Sequence, residues 1–168
     1  MKPDSLNRED RIVLRAPRAG DIGLVIHRHG VLYAEEYGWN EQFEALVAEV
    51  AAKFLKRHDS VKERCWIAEL DGEFAGCIFI VRESEKVAKL RLLLVEPKAR
   101  GFGLGRRLIQ ECIDFATNAG YEKMVLWTND VLHAARHLYE EFGFHLIHEE
   151  PNTLFGPLTT AQTWERSL

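Results

Sequence analysis

The stretch Arg100-Gly101-Phe102-Gly103-Leu104-Gly105-Arg106-Arg107 combines residue types at a spacing that prescribes chemistry. Its three glycines remove the Cβ atoms that would hold a ligand off the backbone, and they open the φ > 0 conformations of a tight turn. Before it, the apolar run 90–95 reads as a buried strand. After it, Leu104, Leu108, Ile109, Cys112, Ile113 and Ala116 recur at helical spacing. A strand, a glycine turn and a helix in that order aim free N–H groups and the positive end of a helix dipole at one point. That arrangement suits a phosphate, and three flanking arginines add charge.

Two familiar phosphate cradles are excluded by spacing. A P-loop needs four residues between its glycines and then Gly-Lys-Ser/Thr, which this chain lacks. The dinucleotide fingerprint needs glycine where Arg106 stands and should follow the first strand of a βαβ unit, whereas several strands precede it here. His133 and His137 are spaced i,i+4, yet Ala134 stands where the zinc pattern HExxH has glutamate, so no metal is expected. The remaining histidines read as surface or cap residues.

The elements that must position the cradle fit one domain of 168 residues, 46% hydrophobic. A flexible polar head is expected over 1–11 and the folded domain over 12–168. With 22 basic and 26 acidic residues the net charge is −4, which disfavours nucleic acid as a partner. Cys65, Cys77 and Cys112 lie in apolar segments without metal-type spacing and read as reduced core residues of a cytoplasmic protein. No apolar stretch approaches the ~18 residues of a membrane span.

Residues 12–16 read as a first strand and 20–28 as a short helix with Leu24 and Val25 inward. An aromatic stretch without clean period follows over 31–39, read as a loop. Asn40 caps a helix whose stripe is Phe43, Leu46, Val47, Val50, Ala51, Phe54 and Leu55. Strands 65–70 and 74–81 flank Asp71-Gly72, a type I′ hairpin signal. Strand 87–95, the cradle, a helix stopping near Gly120, strand 124–127, helix 132–142 and strands 144–147 and 159–165 complete the chain. The order β-α-α-β-β-β-α-β-α-β-β describes a single α/β domain with a mixed sheet. Strict alternation over 87–95 would put Leu90, Leu92 and Leu94 on one face and Lys89, Arg91 and Leu93 on the other. An arginine amid a sheet calls for an anion: a ligand carboxylate, or a structural partner such as Glu73.

Arg100-Gly101-Phe102-Gly103-Leu104-Gly105, an Arg-x-x-Gly-x-Gly pattern, resembles the acetyl-CoA pyrophosphate loop of the GNAT family of N-acetyltransferases. Three more segments resemble that family in the right order: Leu93-Leu94-Val95-Glu96-Pro97, Trp127-Thr128-Asn129, and the run from Ala135 to Phe144 with Tyr139 at its centre. Arg28-His29-Gly30-Val31-Leu32-Tyr33 and Glu36-Tyr37-Gly38-Trp39 are similar to a narrower group, the acetyltransferase part of bacterial chains fused to a MarR-type regulator.

The resemblance implies a sheet of about seven strands with a splay between strands 4 and 5, where the cofactor's pantetheine pairs with strand 4 like an added strand. It implies acetyl-CoA as co-substrate, held by Leu93, Leu94, Val95, Arg100, Gly101, Phe102, Gly103, Leu104, Gly105, Arg106, Asn129, Ala135 and Tyr139. A backbone N–H near Val95 would polarise the thioester carbonyl. Tyr139, as the family's thiolate-facing tyrosine, would protonate the leaving sulfur. Without that likeness it reads as a filler of the helix–sheet seam with its hydroxyl on a backbone carbonyl. Glu36 is the candidate base. Tyr33, Glu36, Tyr37, Trp39, Arg91 and Trp127 would surround the acceptor. The implied function is acetyl transfer to the amine of a small molecule, with a homodimer compatible. A non-catalytic acyl-CoA sensor and a protein lysine or N-terminal acetyltransferase are the alternatives.

Overall fold

Asp71 and Gly72 both adopt positive φ, 53° and 83°, as a type I′ turn demands, and they fold β2 (Arg64–Leu70) onto β3 (Glu73–Arg82). In the computed structural model, which describes residues 7–57 and 59–168, this hairpin starts the sheet. β1 (Ile12–Arg15) pairs antiparallel with β2, and β4 (Val87–Val95) with β3. The chain then crosses through α3 (Leu104–Asn118) and returns as β5 (Lys123–Asn129), parallel to β4. After α4 (His133–Glu141), β6 (His145–Asn152) and β7 (Thr159–Ser167) close the order β1-β2-β3-β4-β5-β7-β6. The expected seven-stranded mixed sheet is present. Residues 1–6 of the expected head lie outside the described residues, and Arg8–Arg11 form a 3-10 turn.

The sheet divides two apolar layers. On one face Leu104, Leu108, Ile109 and Cys112 of α3 pack on Ile78, Ile80, Leu90, Met124 and Leu126. On the other, α1 (Asp21–Tyr37) and α2 (Glu41–Arg57) set Val25, Leu32 and Ala51 against Ile67, Cys77, Phe79 and Leu94. Asn40 Oδ1 accepts from the Gln42 N–H at 3.0 Å, the expected cap of α2.

Four expectations need correction. The first helix does not stop near Arg28; it runs to Tyr37 and ends at Gly38, whose φ is 68° and whose N–H bonds the Ala34 carbonyl. The aromatic stretch is therefore mostly helix and not a loop. Its inner stripe is Ile22, Val25, His29 and Leu32, while Leu24 is exposed. Gly30 marks where α2 comes close, since a Cβ there would lie 2.5 Å from Glu44 Oε1. On α2, Leu55 points to solvent. Strand β6 runs to Asn152, well past residue 147.

The fourth correction shapes the site. Leu92 has φ 52°, and β4 carries one extra residue between the pairs Arg91↔Phe79 and Leu94↔Cys77. This β-bulge reverses the alternation. Leu90, Leu93 and Val95 pack toward α3, whereas Leu92 and Leu94 pack toward α1 and α2. Gly76 makes room for it: a Cβ there would sit 2.3 Å from the Leu94 carbonyl oxygen. The β4–β5 ladder ends at Leu90↔Leu126, so beyond it the two strands separate, and β5 keeps pairing with β7 as far as Asn129↔Ala161.

Candidate active site

The splay and the glycine turn meet at one end of the sheet. A 3-10 turn, Pro97–Ala99, leads from β4 into residues 100–103, where Gly101 and Gly103 take φ of 82° and 75°. Gly103 precedes α3 without any side-chain cap, which leaves the first N–H groups of the helix to a ligand. Leu104 is buried, so only its backbone faces this turn. Gly105 serves close packing: a Cβ there would meet Leu138 Cδ1 at 2.9 Å.

The three arginines diverge. Arg100 ion-pairs with Glu36 at 2.6 Å and borders the cleft. Arg106 turns to Glu141 at 2.6 Å, and Arg107 donates to the Ile12 carbonyl at 3.1 Å. Phe102 stacks beneath the Arg11 guanidinium, 5.5 Å from its ring centre. Local charge at the cradle is thus smaller than the sequence suggests, and what the turn chiefly presents is uncapped backbone N–H groups.

A cleft of about 260 Å³ runs between α1 and α4, over Leu93, Leu94 and Val95. Tyr33, Glu36, Tyr37, Arg100, Gly105 and Ala135 also line it. Arg28 holds α1 over this floor by donating from Nε (2.5 Å) and Nη2 (2.9 Å) to the buried carboxylate of Glu96, just after β4. Through Tyr33, Leu93, Leu132 and Ala135 the cleft adjoins an inner chamber of about 90 Å³. Arg91, Trp127, Asn129, Trp39 and Tyr139 line the chamber, so these sequence-predicted candidates stand together. Gly101, Phe102, Gly103 and Arg106 stand apart from it, around the cradle.

Tyr139 is 5% exposed, and its hydroxyl makes no hydrogen bond among the described residues. The ring does fill the helix–sheet seam, packed in the core against Phe144, but its hydroxyl is on no carbonyl among the described residues. Burial pushes the phenol well above its ordinary value, so it keeps its proton at neutral pH. Asn129 Oδ1 accepts from Thr159 Oγ1 at 2.7 Å and Asn152 Nδ2 at 3.3 Å, which leaves its own Nδ2 as the donor for a ligand. Tyr33 donates to the Leu93 carbonyl at 3.4 Å, beside the bulge. Its ring packs against Tyr37, Trp39 and Phe43 at 4.7–5.4 Å between centres, an aromatic wall built on helix.

Arg91 is half-buried and has no ion pair among the described residues. Burial lowers its pKa, and the charges of Glu83 and Glu49 only partly offset that. Glu73, the structural partner weighed from sequence, pairs with Lys98 at 2.6 Å. The bulge puts Arg91 on the same side as Leu92, where it also borders a 370 Å³ hollow beside α2. His137 reaches Glu141 at 3.1 Å on an exposed surface. Among the described residues no group of His, Cys, Asp or Glu could hold a metal, and no helix is long and apolar enough to cross a membrane.

One titratable chamber residue was misread. His29 is buried, not a surface or cap residue, and its position in the stripe of Ile22, Val25 and Leu32 is the signal that could have found it.

Glycine cradle, bulged fourth strand and parted fifth strand together define an acyl-CoA-binding acetyltransferase fold. The sequence pattern of the Acetyltransferase (GNAT) family matches residues 29–144, and the chain belongs to that family. Members of this family are N-acetyltransferases with acetyl-CoA as co-substrate. N-acetylaspartate synthetase of Danio rerio is 34% identical over 112 residues, 66% of this chain and 39% of its own length. An uncharacterised N-acetyltransferase of Schizosaccharomyces pombe is 30% identical over 113 residues, 67% of this chain and 69% of its own. The chain thus spans well under half of the first relative and about two thirds of the second. A Salmonella typhimurium structure with its cofactor acetyl-CoA superposes with a TM-score of 0.73 at 22% identity, covering 94% of each chain. At that identity the likeness concerns the fold.

Proposed function

We propose that the chain acetylates the amine of a small, carboxylate-bearing, amino-acid-like acceptor by direct transfer. The observation that carries this reading is Arg91, a half-buried guanidinium without an ion pair, on the wall of the chamber it shares with Tyr139. Glu83 and Glu49 only partly offset the burial of Arg91 and make no ion pair with it, so it can take a further anion, and a guanidinium fork matches a carboxylate in two parallel hydrogen bonds. The name of the Danio rerio relative, an N-acetylaspartate synthetase, points to the same acceptor class. The likeness of residues 28–39 to regulator-fused acetyltransferases adds no acceptor to it.

Fit to acetyl-CoA rests on the uncapped start of α3, the open edge of β4 at the splay and the unbonded Tyr139 hydroxyl. Acetyl-CoA supplies an activated acyl group on a thiol leaving group. The α3 N–H groups would hold its pyrophosphate, β4 at 93–95 its pantetheine amides, and Asn129 Nδ2 another acceptor atom along it. A backbone N–H near Val95 would polarise the thioester carbonyl, and Tyr139 would protonate sulfur. Glu36 is bound to Arg100, and we assign it to holding that arginine at the mouth rather than to removing a proton. Trp39, Tyr33 and Tyr37 shape the acceptor side, with Trp127 opposite.

Release of free CoA thiol measured with L-aspartate, L-methionine, L-phenylalanine, spermidine and a lysine peptide tests the reading. Turnover is expected with one or more of the amino acids. Turnover with spermidine or the peptide alone would overturn it.

A further inference from the structure

The chamber holds a polar atom to which none of these roles gives a purpose. His29 is 1% exposed, and its Nδ1 lies 2.8 Å from the Val25 carbonyl oxygen one turn back, so Nδ1 carries the proton and donates. Nε2 is then the lone-pair nitrogen, buried and without a partner. Tyr33 stacks on the ring at 5.7 Å and 14°, and Phe43 flanks it at 6.2 Å, so the ring cannot swing to find one. With Nδ1 turned to its own helix, Nε2 sits on the opposite ring edge, closed within the wall that His29 forms with Arg91, Asn129 and Tyr139 around the chamber. Burial pulls the imidazole down to about 4 despite the opposing charge of Glu96, so the ring is neutral near pH 7. An unsatisfied buried acceptor is destabilising, and a leucine in this stripe would avoid that cost.

We propose that His29 Nε2 accepts a hydrogen bond from the acceptor amine and takes the proton which that nitrogen sheds as it is acetylated. The assignment rests on the acetyl-transfer reading of the chamber. The amine enters the step neutral, its ammonium proton already lost to solvent. Its lone pair forms the C–N bond and the C–S electron pair leaves with sulfur. Nitrogen gives one proton to Nε2, and Tyr139 gives one to sulfur. Return of the His29 proton to Tyr139 restores both side chains, so the net movement is one proton from nitrogen to sulfur. A weakly basic imidazole cannot deprotonate an ammonium, but it suits a nitrogen whose acidity rises as the new bond forms.

His29→Phe keeps the stack on Tyr33 and deletes the lone pair. With an amino-acid acceptor, kcat is expected to fall ~10²–10³-fold while KM for acetyl-CoA, its calorimetric affinity and the melting temperature hold. His29→Gln, which restores an acceptor atom, is expected to recover part of the loss. A His29→Phe enzyme within about threefold of wild type overturns the assignment. Should both variants fail to fold, wild-type protein decides by NMR of ¹⁵N-labelled histidine in the complex with CoA and L-aspartate, or whichever tested amino acid turns over fastest. The Nε2 signal is expected to move when the amine is added to the CoA complex, and an unmoved signal overturns the assignment. Wild type that acetylates no amine overturns the functional reading and this assignment with it; active wild type with an active His29→Phe overturns this assignment alone.

Discussion

Tyr139→Phe separates chemistry from architecture because the hydroxyl it removes has no hydrogen bond among the described residues. Deleting a bonded hydroxyl would cost about 1 kcal/mol of stability. Here that cost is absent, and the buried ring stays packed edge-on against Phe144, 5.9 Å between centres. The melting temperature is therefore expected to stay level, since the hydroxyl borders the chamber and leaves no partner behind. Acetyl-CoA affinity by calorimetry should change less than threefold. Loss of a general acid costs ~10²–10⁴ in rate, so kcat is expected to drop by that factor, with KM for both substrates little altered. One preparation of each protein supplies kcat, affinity and melting temperature together. A Tyr139→Phe protein with full kcat, or one whose melting temperature falls by several degrees while kcat holds, refutes the role given to this phenol.

Two further outcomes follow from the same structure. Gly76→Ala forces a Cβ into the Leu94 carbonyl at 2.3 Å, and this neighbour is backbone that cannot rotate away. A cost of about 1–3 kcal/mol is expected, lowering the melting temperature by roughly 3–10 °C, and acetyl-CoA affinity should weaken as the bulge shifts. Thermal melts and calorimetry check it, and an unchanged protein would show that the bulge does not depend on Gly76. Asp21 accepts from Arg15 at 2.7 Å and from the Arg18 N–H, which holds its carboxyl below the usual range. Because the folded value is depressed, its stabilisation is present above the unfolded value of about 3.9 and is lost as pH falls through the folded one. Melting curves from pH 7 to pH 2.5 should show Asp21→Asn less stable at pH 7, with the gap to wild type closing toward pH 3; a gap constant with pH contradicts the pairing.

The cradle was legible because its signal is local: glycines, flanking strand and helix period sit within thirty residues. The hairpin at Asp71-Gly72 and the bounds of β4 were legible for the same reason. What stayed hidden depends on contacts between distant segments. A helix carrying Gly30 and three aromatic or histidine side chains in its second half has no visible period until α2 packs on it, and Glu44 filling the space beside Gly30 is information that residues 20–37 do not contain. The bulge at Leu92 is equally silent in a run of leucines, because it exists only in the register against Gly76 and Phe79. That one residue of slip moved Leu92 and Leu94 away from Leu90. His29 was lost to the habit of counting histidine as polar, although its spacing from Val25 and Leu32 is that of a core position.

The central claim, a carboxylate-bearing acceptor held by Arg91, is tested most directly by comparing kcat/KM for an L-amino acid with that for its decarboxylated amine, in wild type and in Arg91→Gln. A charge-assisted contact of about 1.5–3 kcal/mol predicts that wild type prefers the amino acid by roughly 10–100-fold. Arg91→Gln should abolish that preference by raising KM for the amino acid, while the decarboxylated amine changes less than threefold. Wild type with no preference between the two, or a preference that survives in Arg91→Gln, contradicts the account.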